Sequence, residues 1–560
     1  MQKTPLSRKT ISTYIVLLPL LWMLAWTVLF PAINSISMAL GSDQGQLSLA
    51  YFAEFFSYGK NIEAYHNTFT LATWTVILCG IIGTSFAFIV TRFQFPGRKL
   101  VEIILLIPMM IPGVLFTIAF MQVYGQTGFL PQGIKLLFGL KSAPNILKGL
   151  SGILFVHATT QYLFFYVMVS SALRRIDASV YEAARSMGAS RTRMFFTITL
   201  PLLTPALVGS SVLTFMSGIG SFAAPSLIGG GFRVMSVQML MTKTNGYYNL
   251  VSVQGIMLAV MSLIFLAVMR FYETRRNYIM DVKGKPLPRR TLTRKQSALM
   301  LTGLTLVLLV IVLPILSIIL LSFVPKKALA TDIFPRSFDF SNYIEFFKSK
   351  RAFMPFLNSL WMSSIGAGVA TIVGALSAYV IVKTKVKIRF LVELMVLLPW
   401  ALPASTVAIN MILAFNQPTP FAFGQVLVGS SMLLPLTYAV SRITLVMRNT
   451  SAALYQLHDS LEEASRSLGA SWLKTFFRIL VPILAPAILS GTMLSFVALI
   501  GEYTMSVLMY NASTMPATVA MTTAINNFNT GLGMVYGVFL VAITTLIISI
   551  FKGRDGQFSF

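Results

Sequence analysis

Twelve apolar stretches, each long enough to cross a bilayer, set the frame for this chain. About 30 Å of hydrocarbon needs roughly 20 residues of helix. The stretches fall at about 11–33, 68–91, 101–124, 150–172, 201–222, 250–271, 298–322, 356–382, 390–414, 424–446, 480–501 and 533–551. Pro, Gly and Ser interrupt the fifth and eleventh. Of the 560 residues only 11% are charged and 56% are hydrophobic. A soluble domain carries about 25% charged residues. The expected fold class is therefore all-α, a polytopic membrane protein of about 12 transmembrane helices.

A net charge of +26 invites a nucleic-acid reading. Its distribution argues against one, because the basic residues sit in short patches between the apolar runs. With both termini in the cytoplasm, 31 of the 43 lysines and arginines fall on the cytoplasmic side, including those counted at 442–479. That bias fixes the orientation. The first stretch is too long for a cleavable signal and reads as a retained anchor. One cysteine, Cys79, and three scattered histidines leave no disulfide framework and no protein-built metal site.

A polar sentence is written twice. YEAARSMGAS occupies 181–190 and EEASRSLGAS occupies 462–471. Glu182, Ala183, Arg185, Ser186, Gly188, Ala189 and Ser190 recur 281 positions later as Glu463, Ala464, Arg466, Ser467, Gly469, Ala470 and Ser471. The match runs on through Phe195/Phe476, Phe196/Phe477, Pro201/Pro482 and Pro205/Pro486. Upstream, Glu102, Pro108 and Pro112 correspond to Glu393, Pro399 and Pro403 at an offset of 291. Two tandem six-span units of parallel topology follow. They are 1–272, with its repeated loop at about 172–200, and 298–560, with its loop at about 447–480. A polar, basic cytoplasmic linker, 273–297, joins them.

Each repeated loop reads as a short helix, a turn and a second helical piece. Ser179 and Ser460 are the expected N-caps, with Glu182 and Glu463 completing capping boxes. Gly188 and Gly469 are expected to end the first helix in the left-handed conformation. Ala-Ser opens the second piece, basic and amphipathic, which runs to Pro201 or Pro482. Such an element can dock in a groove on a partner. A basic loop can also lie on lipid. Lipid docking, however, requires no particular Glu or Gly in both copies.

EAARSMG and EASRSLG resemble the E-A-A-x-x-x-G signature of the membrane subunits of binding-protein-dependent ABC importers. The second copy departs from it with Ser465 at the third position. The resemblance implies two coupling helices, carried by Glu182, Ala183, Ala184 and Gly188 and by Glu463, Ala464, Ser465 and Gly469. Each would insert into one of two copies of a cytoplasmic ATPase subunit. An extracytoplasmic substrate-binding protein would deliver the cargo, and the chain would sit in a bacterial inner membrane. ATP and Mg would be used by the partner subunits. This chain has no G-x-x-x-x-G-K-[ST] of its own, so it is expected to bind no cofactor and not to be an enzyme. IPMMIPG and LPWALPA, in a fused chain, are similar to the ferric iron permeases. Ferric iron is the expected cargo, with phosphonate or phosphate ester, polyamine and thiamine as alternatives.

The pathway is read from polar and helix-breaking residues inside spans. Pro108/Pro112 and Pro399/Pro403 break the third span of each unit. Such breaks either line a cavity or are kinks packed on neighbours. His157, Gln161 and Asn410 are either pathway residues or hydrogen-bonded packing. Glu502, whose counterpart is Ser221, is placed at an external mouth. Glu102 and Glu393 lie close to basic residues at span ends and read as structural ion pairs. The alternative class, an ion-coupled secondary transporter of twelve spans, would need intramembrane acids and leaves the duplicated loop unexplained. No paired carboxylates or Ser/His dyad point to catalysis.

Overall fold

The computed structural model describes residues 17–41, 46–274, 287–331, 333–384 and 386–555. Within them the regular secondary structure is helical except for one pair of two-residue strands. Ten helices are long and apolar enough to cross a membrane, or eleven if the bent pair Arg389–Ala401 and Ala404–Phe415 counts as one span. Each of the twelve expected positions carries helix. The tenth span is the 24-residue helix Leu433–Gln456, made less apolar by Arg442 and Arg448. The start of the first expected span, 11–16, and both chain ends lie outside the described residues.

Each unit is built on a tight pair of helices. The second span, Gly59–Arg92, lies on the fourth, Gly149–Arg175. Glycine makes the approach possible: a Cβ on Gly83 would stand 2.7 Å from Phe165 Cβ. In the second unit Lys350–Lys383 lies on Leu433–Gln456, and a Cβ on Gly374 would stand 2.8 Å from Val446 Cβ. Between apolar helices in lipid, close van der Waals approach over small residues is the main source of attraction.

The third span is broken in both units. In the first, helix Arg98–Leu106 passes through a tight turn at 107–110 and resumes at Gly113–Tyr124. In the second, the bend at Leu402–Pro403 is 114°. Ile111 and Leu402, each before a proline, are extended, at ψ 127° and 140°. A residue preceding proline is pushed out of the helical region. The break frees backbone carbonyls, and the other unit satisfies one of them: Thr544 Oγ1 donates to Met110 O at 2.9 Å. Packing is exchanged accordingly. The first unit's broken span packs on the second unit's outer helices, Arg294–Ser322 and Thr530–Asp555. The second unit's broken span packs on Phe30–Ala39 and Tyr248–Thr274 of the first.

The linker is shorter than 273–297. The sixth span runs to Thr274, and the seventh begins at Arg294, where Thr293 and Gln296 form a capping box. Residues 275–286 of the expected linker lie outside the described residues. After them, Arg290–Thr291 pairs in parallel with Phe93–Gln94 at the end of the second span.

Candidate functional site: the repeated loops and the cavity between the units

In the first loop a helix covers Ala178–Ser186. Its cap is Asp177 rather than Ser179: the Asp177 carboxylate accepts the Ser179 amide at 3.0 Å. Asp outranks a serine already inside the first turn, since a cap must sit before the first helical residue. In the second loop the helix Ser460–Ser467 likewise makes Ser460 its first residue rather than its cap. Gly188 and Gly469 both have φ +78°. Around Gly188 the closure is a Schellman motif, with Gly188 N–H donating to Arg185 O at 2.9 Å and Ala189 N–H to Ala184 O at 3.0 Å. Ala470 N–H donates to Ser465 O at 3.1 Å in the second copy. Ser190 and Ser471 then cap the second pieces, accepting from Arg193 and Lys474 amides.

The faces of the two loops agree. Glu182, Ala183, Gly188, Glu463, Ala464 and Gly469 are exposed, while Ala184 is half-buried and Ser465 buried. Met187 and Leu468, at matching positions, are 87% and 88% exposed. Ser465 differs from Ala184 but finds a partner: its hydroxyl lies 2.8 Å from that of Thr475. The equivalent of Thr475 is Met194, so both members of the pair changed together. Each second piece continues through a π-helical segment, Phe195–Thr199 or Phe476–Leu480, into the fifth or eleventh span. The continuous helices are Arg191–Ile219 and Leu473–Ile500.

Those helices end at a cavity of about 300 Å³ lined by both units, with Thr117, Thr160, Gln161, Ser221, Glu502 and Tyr503 among its walls. Among the described residues lining it, Glu502 is the only charged one. Its Oε1 accepts the Met505 amide at 2.9 Å, and its Oε2 lies 3.9 Å from Arg442 Nη2. Arg442 is a residue that sequence reasoning misplaced. It was counted with a cytoplasmic segment, but it lies mid-helix with its side chain 27% exposed. The repeat offset carries the missed signal, since 442 less 281 is 161. Arg442 is the equivalent of Gln161, as Glu502 is of Ser221.

The remaining pathway candidates divide. His157 lines the cavity, but both ring nitrogens are committed, Nδ1 to Thr75 Oγ1 and Nε2 to Ser221 Oγ, each at 2.9 Å. It therefore positions Ser221 rather than offering a lone pair to a passing ligand. Its equivalent, Tyr438, holds Ser506 at 2.6 Å. Pro112 packs against Gly501 and Pro403 approaches Gly220. Pro399 and Asn410 face a separate, small apolar void against the first span. Pro108 is buried in the turn of the third span, away from the cavity lining. Glu102 lies 3.7 Å from both Arg98 and Arg174. No group of three His, Cys, Asp or Glu that could hold a metal ion occurs among the described residues.

This geometry defines a class: a two-unit, all-helical membrane permease with a polar cavity between its units and one duplicated loop per unit. The model of the binding-protein-dependent transport system inner membrane component family matches twice, at 80–278 and 370–553. The chain belongs to that family, the permease subunits of ABC importers, and the secondary-transporter alternative is set aside. A probable ABC transporter permease protein of Sinorhizobium fredii is 28% identical, covering 89% of each chain. The ferric transport system permease protein FbpB of Actinobacillus pleuropneumoniae is 26% identical, covering 97% of this chain and 78% of its own. A putative ferric transport system permease of Haemophilus influenzae is 27% identical, covering 78% and 68%.

Proposed function

We propose that this chain forms the substrate path of an ATP-driven importer of ferric iron. Two copies of a cytoplasmic ATPase subunit grip Glu182–Gly188 and Glu463–Gly469. An extracytoplasmic binding protein delivers the cargo to the opposite end. The observation that carries the reading is mechanical continuity. The helices Arg191–Ile219 and Leu473–Ile500 join the exposed loops to the cavity walls at Ser221 and Glu502. At 1.5 Å per residue each is about 40 Å long. Movement of an ATPase subunit at a loop is thus felt at the cavity without an intervening hinge loop, as alternating access requires. Exposed Met187 and Leu468 give each loop an apolar tip for a partner cleft.

ATP and Mg belong to the partner subunits in this scheme, and the chain itself catalyses nothing. The excess of lysine and arginine on one side supports an inner-membrane chain with both termini cytoplasmic. The cargo assignment rests on two supports. The cavity presents one carboxylate, which Arg442 backs from outside the lining, and, among its described lining residues, no lysine or arginine, so the surface turned to the cargo suits a cation over an anion. The ferric permease relatives align along most of the chain, whereas a putative 2-aminoethylphosphonate permease of Salmonella typhi aligns over 38% of it.

Purification of the chain from its native membrane in mild detergent, with mass spectrometry of what accompanies it, tests both levels. The expected result is an ATPase at two copies per chain and a binding protein carrying ferric iron. A chain that purifies alone and transports on an ion gradient would overturn the coupling. A binding protein carrying a phosphonate, polyamine or thiamine would overturn the iron cargo alone.

A further inference from the structure

The two units treat one cation differently at the loop end. Lys383 and Arg92 are equivalent by the 291 offset, each at the end of its second helix. Lys383 is met by two protein carboxylates, Asp459 Oδ1 at 2.5 Å and Glu462 Oε1 at 3.9 Å. By the 281 offset the equivalents of those acids are Ala178 and Tyr181, neither of which carries a charge at neutral pH. Arg92 lies over the Tyr181 ring, 5.8 Å from its centre, and its Nη2 is buried without a hydrogen-bond partner.

In place of the missing carboxylates there is a cavity of about 410 Å³, lined by Thr91, Arg92, Gln94, Arg174 and, from the linker, Arg289. Three arginines face it, and among the described lining residues there is no acid. The returning strand Arg290–Thr291, paired with Phe93–Gln94, holds the linker against this wall. Arg289 is held below its usual pKa, first by partial burial and then by the neighbouring Arg98 and Arg174, with Glu102 pulling the other way. Glu102, which pairs with Arg98 and Arg174, does not line the cavity.

We propose that this cavity is an anion site for a phosphate-type group carrying up to two negative charges, clamped between the first unit and the linker. An exogenous anion would supply what Asp459 and Glu462 supply in the second unit. Arginine's planar fork suits phosphate oxygens. The site is separate from the transport path and independent of the cargo. Because Arg92 stacks on Tyr181, which precedes Glu182, occupancy steadies the first loop helix. The ligand is either a soluble phosphate ester or an anionic lipid headgroup, and both share this chemistry.

The full chain in phosphatidylcholine nanodiscs tests the site with radiolabelled inorganic phosphate, alongside native mass spectrometry of chain purified with phosphatidylglycerol. One saturable phosphate per chain marks a soluble ligand; one retained phosphatidylglycerol without phosphate binding marks a headgroup. Either must weaken about tenfold in Arg174→Gln and in Arg289→Gln, the loss of one charge-assisted hydrogen bond, and stay unchanged in Lys383→Gln. Both arginines are well exposed at the surface, so folding is not at stake. Amide exchange at 178–187 must slow on occupancy. Neither ligand binding, or binding indifferent to both arginine variants, would overturn the proposal.

Discussion

Pro112 of the first unit lies against Gly501 of the second: a Cβ on Gly501 would stand 2.8 Å from Pro112 Cγ and 2.9 Å from its Cβ. The pseudo-equivalent contact is looser, with Pro403 Cβ 3.8 Å from the Cβ position of Gly220. Each broken span therefore meets the residue that ends the other unit's fifth helix. The two crossings bracket the cavity.

This asymmetry predicts unequal tolerance. Gly501→Ala forces a rigid proline ring to move and should cost about 1–3 kcal/mol, with reduced transport, as overpacking does. Gly220→Ala meets Met216 O at 3.3 Å and the Pro403 ring only at ordinary contact distance, and should cost less. Thermal unfolding of both variants in detergent, beside uptake, checks the order. Equal losses would mean that the proline contact does not constrain the crossing.

At the loops, Gly188 and Gly469 have open space around their Cβ positions, so only their positive φ requires glycine. Replacement by Asn, which tolerates this region, should be near silent; Ala should cost about 1 kcal/mol and Val more. Uptake per ATP hydrolysed is the measurement. If Val at both positions leaves that ratio unchanged, the left-handed turn is not what couples the loops.

Arg442 and Glu502 form a charged pair where the first unit has Gln161 and Ser221. Arg442→Gln or Glu502→Ser alone leaves a largely buried charge without its ion-pair partner. Each should destabilise more than the double variant, with a coupling of about 1–3 kcal/mol. The double variant should fold but lose uptake of cationic cargo. A double-mutant cycle by thermal unfolding, with uptake in parallel, decides; additive losses would show that the pair does not interact.

Lys383→Met should free the second loop and leave the first untouched. It removes one ion-pair partner of Glu462, whose side chain is only 10% exposed, and of Asp459. Hydrogen exchange should quicken at 459–468 and stay the same at 178–187. Equal quickening in both loops would mean that the tie is not local to one unit.

The spans, the duplication and the positive φ of the two loop glycines were legible because each follows from a strong local rule: bilayer thickness, residue identity at fixed spacing, and the steric freedom of glycine. The caps were not, because Asp177 lies just outside the repeated sentence that drew attention to Ser179. Arg442 was hidden for a different reason. Hydropathy pulled it to a span end, although the 281 offset already holds at that depth: Gly83 packs on Tyr162 and Phe165 as Gly374 packs on Ile443 and Val446. The pairing of Arg290–Thr291 with Phe93–Gln94 joins segments far apart in sequence through a short polar run, and nothing in either run announces the other. The exchanged packing of the broken spans is equally silent, since it depends on how two apolar surfaces meet.

Glu502 faces no matching acid across its cavity, which is possible because both units share one chain. Two identical subunits related by a two-fold axis would have to repeat every residue near that axis. They could place there two acids, repelling each other across a narrow space, or two serines, but never one of each. Fusion removes that restriction. With Ser221 on one wall and Glu502, backed by Arg442, on the other, the chain sets a single carboxylate in the cavity between its units, an asymmetry that no homodimeric pore can hold.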